Sequence, residues 1–415
     1  MANLSRQSAP TTRAADTIGS VQGGMNGGDF NVHQISSMLN EIVQNATGKT
    51  PPNVITTADF VAVAQTAINE VAWDKFIGAV SQMVSKTIVS VRPYTRQFWS
   101  LYVDNLKWGN HVRKLSFIDS DFDDTESWDL VDGQSVDMYK VKKDKVLQTN
   151  FYGQTTYHRS ITWIQQQMNM AFAGPYEFYQ YIAGKTMHLH NQLEQGHEGL
   201  ARALVSNWIG AIVSMNETGR VIHLLTEYNA ETGLALDDKT VYQGDNFKNF
   251  IGWLVAKVKT ISDMLAERTG LYQTQIAGKP VNRHTPKNRQ KMIIRNTNMY
   301  QMQSMALANT FHTEFSDMMT HQTTGYWQSP VERDSIKVKP VGIDAAGKPK
   351  VFEEVTVNKI FGIIFDVEAI GYTTVDYFSG VTPMNTRGRY TNQDFEYTDR
   401  YWNDFTEKGV VLLLD

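Results

Sequence analysis

The chain has 415 residues, 41% of them apolar, more than one compact core holds, because single cores stop growing beyond about 250–300 residues. Its 39 basic and 43 acidic side chains leave a formal net charge of −4, which excludes a field positive enough to condense nucleic acid or coat an anionic membrane. The absence of cysteine excludes disulfides, thiolate nucleophiles and cysteine-bound zinc or iron centres together.

Residues 1–30 are rich in Gly, Ser, Thr and Ala, with Phe30 as the only aromatic residue, and bury too little surface to offset the entropy of ordering, so they read as an arm. The start MANLSRQSAPTTRAAD lacks the apolar stretch of an export signal, and no apolar run approaches the roughly 18 residues of a membrane span. A cytoplasmic chain with no membrane partner is expected. Ile35, Met38, Leu39, Ile42 and Val43 then fall on one side of a short helix ending near Gly48, which docks either on its own core or on another chain. A second helical pattern follows through Phe60, Val63, Ile68, Val71, Phe76, Val80, Val84 and Ile88, closed by Pro93.

The strand-prone stretches HVRKLSFID and KVLQTNFYGQTTYHRSITW flank a polar middle, which reads as a long two-stranded excursion. That middle is lopsided: Asp119 to Asp137 hold eight carboxylates and no Lys or Arg, whereas Met138 to Lys145 hold four Lys and one Asp. Isolated hairpins are marginal in water, so this one is expected to lean on a neighbour.

Pro175 opens a helix to about Ser214, with a stripe of Ile182, Leu189, Leu193, Leu200, Leu204, Trp208 and Ile212. Gly196 and Gly199 weaken it by roughly 1 kcal/mol each unless another backbone packs close, and Gly219 is the expected stop. Downstream, an amphipathic helix runs through Phe247, Phe250, Ile251, Leu254, Val258, Ile261 and Leu265 with Gly270 as its C-cap. KMIIR reads as a buried strand, and Thr297 as the cap of a helix with Met299, Met302, Met305 and Leu307. KIFGIIFDV and GVVLLLD are further strands, and Ala-Gly-Lys-Pro at 346–349 is a turn, which makes a mixed α and β body.

Signals of catalysis fail on spacing. Gly48–Thr50 and Gly184–Thr186 resemble the end of a phosphate loop, but Val43 and Tyr179 stand where the earlier glycine must be. HEGLA at His197 has Ala201 in place of the second zinc-binding His. His190, Glu194, His197 and Glu198 share a helix face, read here as a solvated polar face in preference to a metal site. DSDFDDTE from Asp119 begins like a calcium loop, then has Asp124 where the turn needs Gly and Leu130 where the bidentate Glu belongs. No Gly-x-Ser-x-Gly elbow occurs, and a triad of dispersed residues stays open because its members need not be adjacent.

In order and character the chain from about Asn53 onward resembles the major capsid proteins of tailed double-stranded DNA phages, and looks most like the podovirus branch. The stretches that carry the resemblance are YHRSITWIQQQMNMAFAGPYEFYQYIAGKTMHLHNQLEQG, NRHTPKNRQKMIIRNTNMYQMQ, and the closing segment from Val381 through GVVLLLD. The resemblance implies an α+β Hong Kong 97-type (HK97-like) fold: an N-terminal arm with short helices at 1–91, an extended hairpin loop (E-loop) at 92–165, and interleaved peripheral and axial domains at 166–415 with a spine helix at about 175–214. It further implies a non-enzymatic shell protein, without cofactor or metal, that self-assembles through hexamers and pentamers into an icosahedral shell around packaged double-stranded DNA. Assembly would take place in the host cytoplasm, with the virion capsid as destination, weak non-specific DNA contact, and scaffolding, portal and decoration proteins as further partners. A protein compartment of the same fold that encloses an enzyme, and a soluble metal-dependent hydrolase, are the alternatives.

Under this resemblance the acidic limb with Asp121, Asp123 and Asp124 and the basic limb with Lys140, Lys142, Lys143 and Lys145 suit charge pairing between copies, with Trp128 and Phe151 as apolar anchors. The segment 385–405 brings together Tyr390, Phe395, Tyr397, Tyr401, Trp402 and Phe405 with Arg387, Arg389 and Arg400, the composition that contact surfaces enrich. Arg387, Arg389, Tyr401 and Trp402 are therefore candidate contacts; the competing reading is that these rings close the chain's own core.

Overall fold

The computed structural model describes residues 96–103, 112–120, 130–135, 138–139, 141, 143–171, 175–217, 219–277, 279, 281–308 and 321–415. The helices expected within 35–48 and 60–88, the Gly48–Thr50 triplet, and Asp121, Asp123, Asp124, Trp128, Lys140 and Lys142 lie outside the described residues.

The elements in chain order are β1 (Val112–Phe117), β2 (Val146–Phe151), β3 (Gly153–Ile164), α1 (Gln165–Ala171), α2 (Pro175–Met215), β4 (Val221–His223), α3 (Leu224–Thr232) and α4 (Asp245–Ala266). There follow β5 (Gln290–Arg295), α5 (Asn296–Ala308), β6 (His321–Thr324), β7 (Ile336–Val338), β8 (Val341–Ile343), β9 (Pro349–Val351), β10 (Val355–Val357), β11 (Ile360–Asp366), β12 (Ile370–Val381), β13 (Tyr390–Asn403) and β14 (Gly409–Leu413). These form two compact units. Arg96, Thr155–His197 and Thr374–Asp399 belong to the first; Gln97–Gln154, Glu198–Thr373 and Arg400–Asp415 belong to the second.

The second unit is built on a five-stranded sheet in the order β4-β14-β11-β5-β6. Its central pairs are antiparallel, and β4 and β6 add in parallel at the edges. Every residue of β11 and β14 is buried, which is why their sequences read as unbroken apolar runs without strand alternation. On one face Ile293, Ile363, Phe365, Val411 and Leu413 pack with Leu204, Val205, Trp208, Ile209 and Ile212 of α2. On the other, Met292, Ile294, Phe361, Ile364, Val410 and Leu412 pack with Phe250, Leu254, Val258, Ile261 and Leu265 of α4. A bulge between Ile360 and Gly362 resets the alternation, so Phe361 and Ile364 share a face. Gly362 is required there, since a Cβ would stand 2.9 Å from the Ile293 carbonyl oxygen.

Two buried cations satisfy the carbonyls around this body. Arg220, only 1% exposed, donates to Gly409 O (3.1 Å), Phe405 O (3.0 Å) and Thr274 Oγ1 (2.7 Å). Burial pulls its pKa down to about 10 against the opposing pull of Glu217 and Asp404. Lys408 Nζ donates to Glu267 O (2.6 Å), Met264 O (3.2 Å) and Thr269 Oγ1 (3.1 Å), taking up carbonyls orphaned at the end of α4.

That contact corrects the expected stop at Gly270: α4 ends at Ala266 and Glu267 leaves the helix with φ −76 and ψ 142. Likewise α2 ends at Met215, one residue before the left-handed Asn216 (φ 49), while Gly219 (φ 84) serves the following turn. The helix after β5 begins at Asn296, so Thr297 lies inside its first turn and is not the cap. The 346–349 turn joins β8 to β9 as expected, with Gly347 at φ 79 and Asp344 Oδ1 accepting from Ala346 N and Lys348 N, both at 2.9 Å.

The first unit holds the greater part of β3, β12 and β13 and the N-terminal turns of α2, with β13 between β12 and β3. Trp163 Nε1 donates to Gln393 Oε1 (2.9 Å) and Thr162 Oγ1 to Asn392 Oδ1 (2.8 Å) across β3 and β13. The expected two-stranded excursion is thus divided at Tyr152: among the described strands β2 pairs with β1 alone, and β3 enters a different sheet. The 41 residues of α2 span about 60 Å, with Leu189, Leu200, Leu204, Trp208 and Ile212 of the stripe buried.

Arg220→Ala should lower the unfolding free energy by about 3–5 kcal/mol in denaturant titration, because the acceptors it satisfies stay buried. The two helix glycines should separate by thermal denaturation. Gly199 has no atom within 4 Å of an added Cβ and Gly199→Ala should stabilise by up to about 1 kcal/mol, whereas at Gly196 the Cβ would meet the Tyr397 hydroxyl at 3.0 Å and the gain should vanish.

Candidate inter-subunit contact surface

The six pairs of the β1–β2 ladder run from Val112↔Phe151 to Phe117↔Val146, which gives the hairpin two rows of side chains. One row, Lys114, Ser116 and Leu147, turns to the second unit's own body: Ser116 and Leu147 are buried and Lys114 nearly so. Lys114 Nζ lies 2.8 Å from Asp404 Oδ2 and 3.1 Å from Glu368 Oε2, and also pairs with Glu407. Burial opposes its charge, but Asp404 and Glu407 outweigh that and hold the ammonium well above its ordinary pKa. For Glu368, partial burial is outweighed by Lys114 and Arg289, and its carboxyl is held below the ordinary value. Arg283 Nη2 donates to Ser116 Oγ (2.8 Å), and its Nε stands 3.3 Å from Glu407 Oε1.

The opposite row is open. Leu115 and Phe117 are 60% and 68% exposed, and Val146, across from Phe117, is 49% exposed. Further along the loop Met138, Tyr139 and Val141 are each about four-fifths exposed, at 81%, 81% and 78%. None of these residues was singled out from the sequence, although alternation in VRKLSF carries the signal for Leu115 and Phe117 once the inward row is known.

The candidates taken from the sequence divide. Lys143 and Lys145 are exposed on the irregular segment leading into β2, and Phe151 is half-buried on the inward row, opposite Val112. Arg387 and Arg389 are exposed in the turn between β12 and β13, in the first unit. There Asn385 Oδ1 accepts from Arg387 N (3.1 Å) and Gly388 N (2.9 Å), and the Arg389 carbonyl accepts from Gln165 N (3.0 Å). Tyr401 is half-buried, with its ring and carbonyl packed so close to Gly153 that a Cβ there would meet the ring at 2.7 Å.

Trp402 is a correction: it is only 8% exposed, donates from Nε1 to Glu368 O (3.1 Å), and lies against Gly371, so it closes the chain's own core. Phe395, Tyr397 and Phe405 are buried too, at 2%, 9% and 4% exposure. The cluster of rings in 385–405 is mainly internal.

The helix face of His190, Glu194, His197 and Glu198 is also corrected, because all four are buried and not solvated. In the first unit Arg96 Nη1 lies 2.6 Å from His197 Nδ1 and 3.6 Å from Glu194 Oε1. A guanidinium only donates, so Nδ1 is the acceptor and the ring proton sits on Nε2, 3.1 Å from Asp399 Oδ2. Thr374 Oγ1 donates to the other Asp399 oxygen (2.7 Å). Tyr397 stacks on Tyr157 (5.0 Å between centroids) and meets His197 edge-on (5.5 Å). Burial, with Asp399 and Tyr157 adding, pushes the Tyr397 hydroxyl up to about 12. A raised folded value means stability that is whole below about pH 10 and is lost as the pH climbs towards 12. Tyr397→Phe keeps the stacking and should abolish this part of the alkaline loss, read as the difference in denaturation midpoint between pH 9 and 12.

Residues 35–407 match the family model for the Phi29-like phage major capsid protein. Among solved structures, a chain of the capsid structure of Staphylococcus phage Andhra is 11% identical, with 78% of this chain and 86% of that chain covered and a TM-score of 0.50. A chain in the structure of the head fiber and inner core protein gp22 of native bacteriophage P68 is 10% identical over the same shares, with a TM-score of 0.51. No curated protein sequence matches.

Proposed function

Because the chain belongs to the family of Phi29-like phage major capsid proteins, and so is a non-enzymatic, HK97-like protein of the icosahedral virion shell, we propose that its β1–β2 hairpin is the loop that joins neighbouring copies. The observation that carries this reading is the exposed apolar group of Leu115, Phe117 and Val146, beside Arg113, Gln148 and Asn150, on the open row of a hairpin whose other row is anchored to its own body. Exposed apolar groups gathered on one face mark sites of association. Lys143 and Lys145 at the rim, with Lys140 and Lys142, would set register against the acidic limb around Asp121, Asp123 and Asp124 of another copy.

In this reading residues 1–91 are the arm, and of the 92–165 stretch expected as the extended loop only the part up to Tyr152 forms it, because β3 joins the sheet of the first unit. The rest of the first unit is the peripheral domain, the body of the second the axial domain, and α2, whose residues are divided between them, the spine. Hexamers and pentamers of the chain form the shell around double-stranded DNA held by weak, non-specific contact. Scaffolding, portal and decoration proteins are its further partners, and assembly takes place in the host cytoplasm. Arg387 and Arg389, exposed at the β12–β13 turn, offer planar donors to a neighbour's carboxylates.

Reversing the charges of Lys140, Lys142, Lys143 and Lys145, or replacing Phe117 by Ser, should cut the yield of shells at least tenfold by electron microscopy. The circular dichroism of the unassembled chain should stay unchanged. Normal shells from both variants would remove the hairpin from the contact.

A further inference from the structure

The hairpin's apolar seat is small, with Leu147 buried and Val112 and Phe151 half-buried on the inward row. Among the described residues of β1 and β2, Leu147 is the one buried apolar side chain, and the two strands pair with each other and with no other described strand. What fixes them is polar. Lys114 reaches Asp404, Glu368 and Glu407, and Ser116 accepts from Arg283. Just past β1, Asp119 accepts from Asn282 N (2.7 Å) and pairs with Arg268.

The socket around Lys114 is built without it. Asp404 Oδ1 accepts from Thr406 N (2.9 Å) and Thr406 Oγ1 (2.6 Å). Glu407 keeps Arg283, and Glu368 keeps Arg289, which also approaches Asp366 at 3.7 Å. These carboxylates stay in place through the body's own hydrogen bonds and cations, so the ammonium enters a preformed anionic site. At the hairpin's other root Gly153 lies against the Tyr401 backbone, where a Cβ would stand 2.5 Å from its carbonyl oxygen.

We propose that the hairpin is a strap whose main seat is an ionic plug, Lys114 in the Asp404–Glu368–Glu407 socket, and that emptying the socket frees the strap locally while the five-stranded sheet stays folded. The fold supplies the physical reason. The sheet is held by apolar burial on both faces, the strap by charge, and elements with few buried apolar contacts open first. The consequence for assembly rests on the preceding reading: a loop that joins copies has its pose set mainly by this ion cluster. Glu368, whose pKa Lys114 and Arg289 depress against partial burial, contributes above its ordinary value and is lost as the pH falls through its lower folded value. Glu407, whose pKa burial raises against Lys114 and Arg283, acts in the opposite direction, so only the Glu368 part of the seat weakens on the acid side.

The test is hydrogen exchange on the full-length, unassembled chain, corrected for intrinsic rates. In Lys114→Met the amides of 112–117 and 146–151 should exchange at least tenfold faster at pH 7, with β5, β11 and β14 unchanged, and Lys114→Arg should restore most of the protection. Glu368→Gln, at the half-exposed rim, should raise the same amides about threefold. Unchanged hairpin exchange in Lys114→Met and Glu368→Gln would overturn the proposal, as would β11 and β14 accelerating in step with the hairpin. If Lys114→Met does not fold, Glu368→Gln decides by the same criterion. Shell yield from Phe117→Ser, which leaves the plug intact, reports separately on the hairpin's role between copies.

Discussion

The double-sided burial of β11 and β14 is the constraint from which the rest of the second unit follows. Strands that carry apolar side chains on both faces must be covered twice, and α2 and α4 supply the two covers. Once those layers are closed, every polar group at their margins needs a partner from the chain itself. Arg220 and Lys408 meet that need by turning cations onto carbonyls, and Arg202 does so with Glu198 and the Trp327 carbonyl beneath the Tyr326 ring.

A shell protein must combine a rigid body with surfaces that meet other copies, and the two demands use different physics here. Dispersion and apolar burial hold the sheet, where a cavity or a misplaced charge is costly. The β1–β2 hairpin, by contrast, sits on ion pairs and hydrogen bonds and directs its own apolar groups outward. Charge pairs fix a pose with directionality and can be broken without opening a core, which suits the proposed contact of this hairpin with a neighbouring copy.

Much of the body was legible in the sequence. Stripes at helical spacing marked α2 and α4, and unbroken apolar runs marked β5, β11 and β14, because those patterns report burial directly. Ends were less legible: Gly270 looked like the cap of α4, but Lys408, more than 140 residues away in sequence, takes the carbonyls and the helix stops sooner. The rings of 385–405 were equally suited to a core or a contact surface, and only burial decides that Trp402 and Phe405 face inward. His190 and Glu194 read as a solvated face because polar side chains usually are; their burial depends on what packs over α2. The candidate surface was legible as a region, through its charge asymmetry, but its apolar row was not.

By itself the sequence determined the class of the molecule: an α+β chain without cysteine chemistry, with one long helix, a hairpin of opposed charge and apolar strands for a buried sheet. These are local properties, set by composition and by the period of apolar side chains along the chain. The tertiary structure alone decided that β2 and β3 part company at Tyr152, that Lys114 faces Asp404 and Glu407 across some 290 residues, and that Leu115 and Phe117 are left exposed. Those outcomes depend on which row of a strand is covered, and covering is a contact between segments remote in sequence that no local pattern encodes.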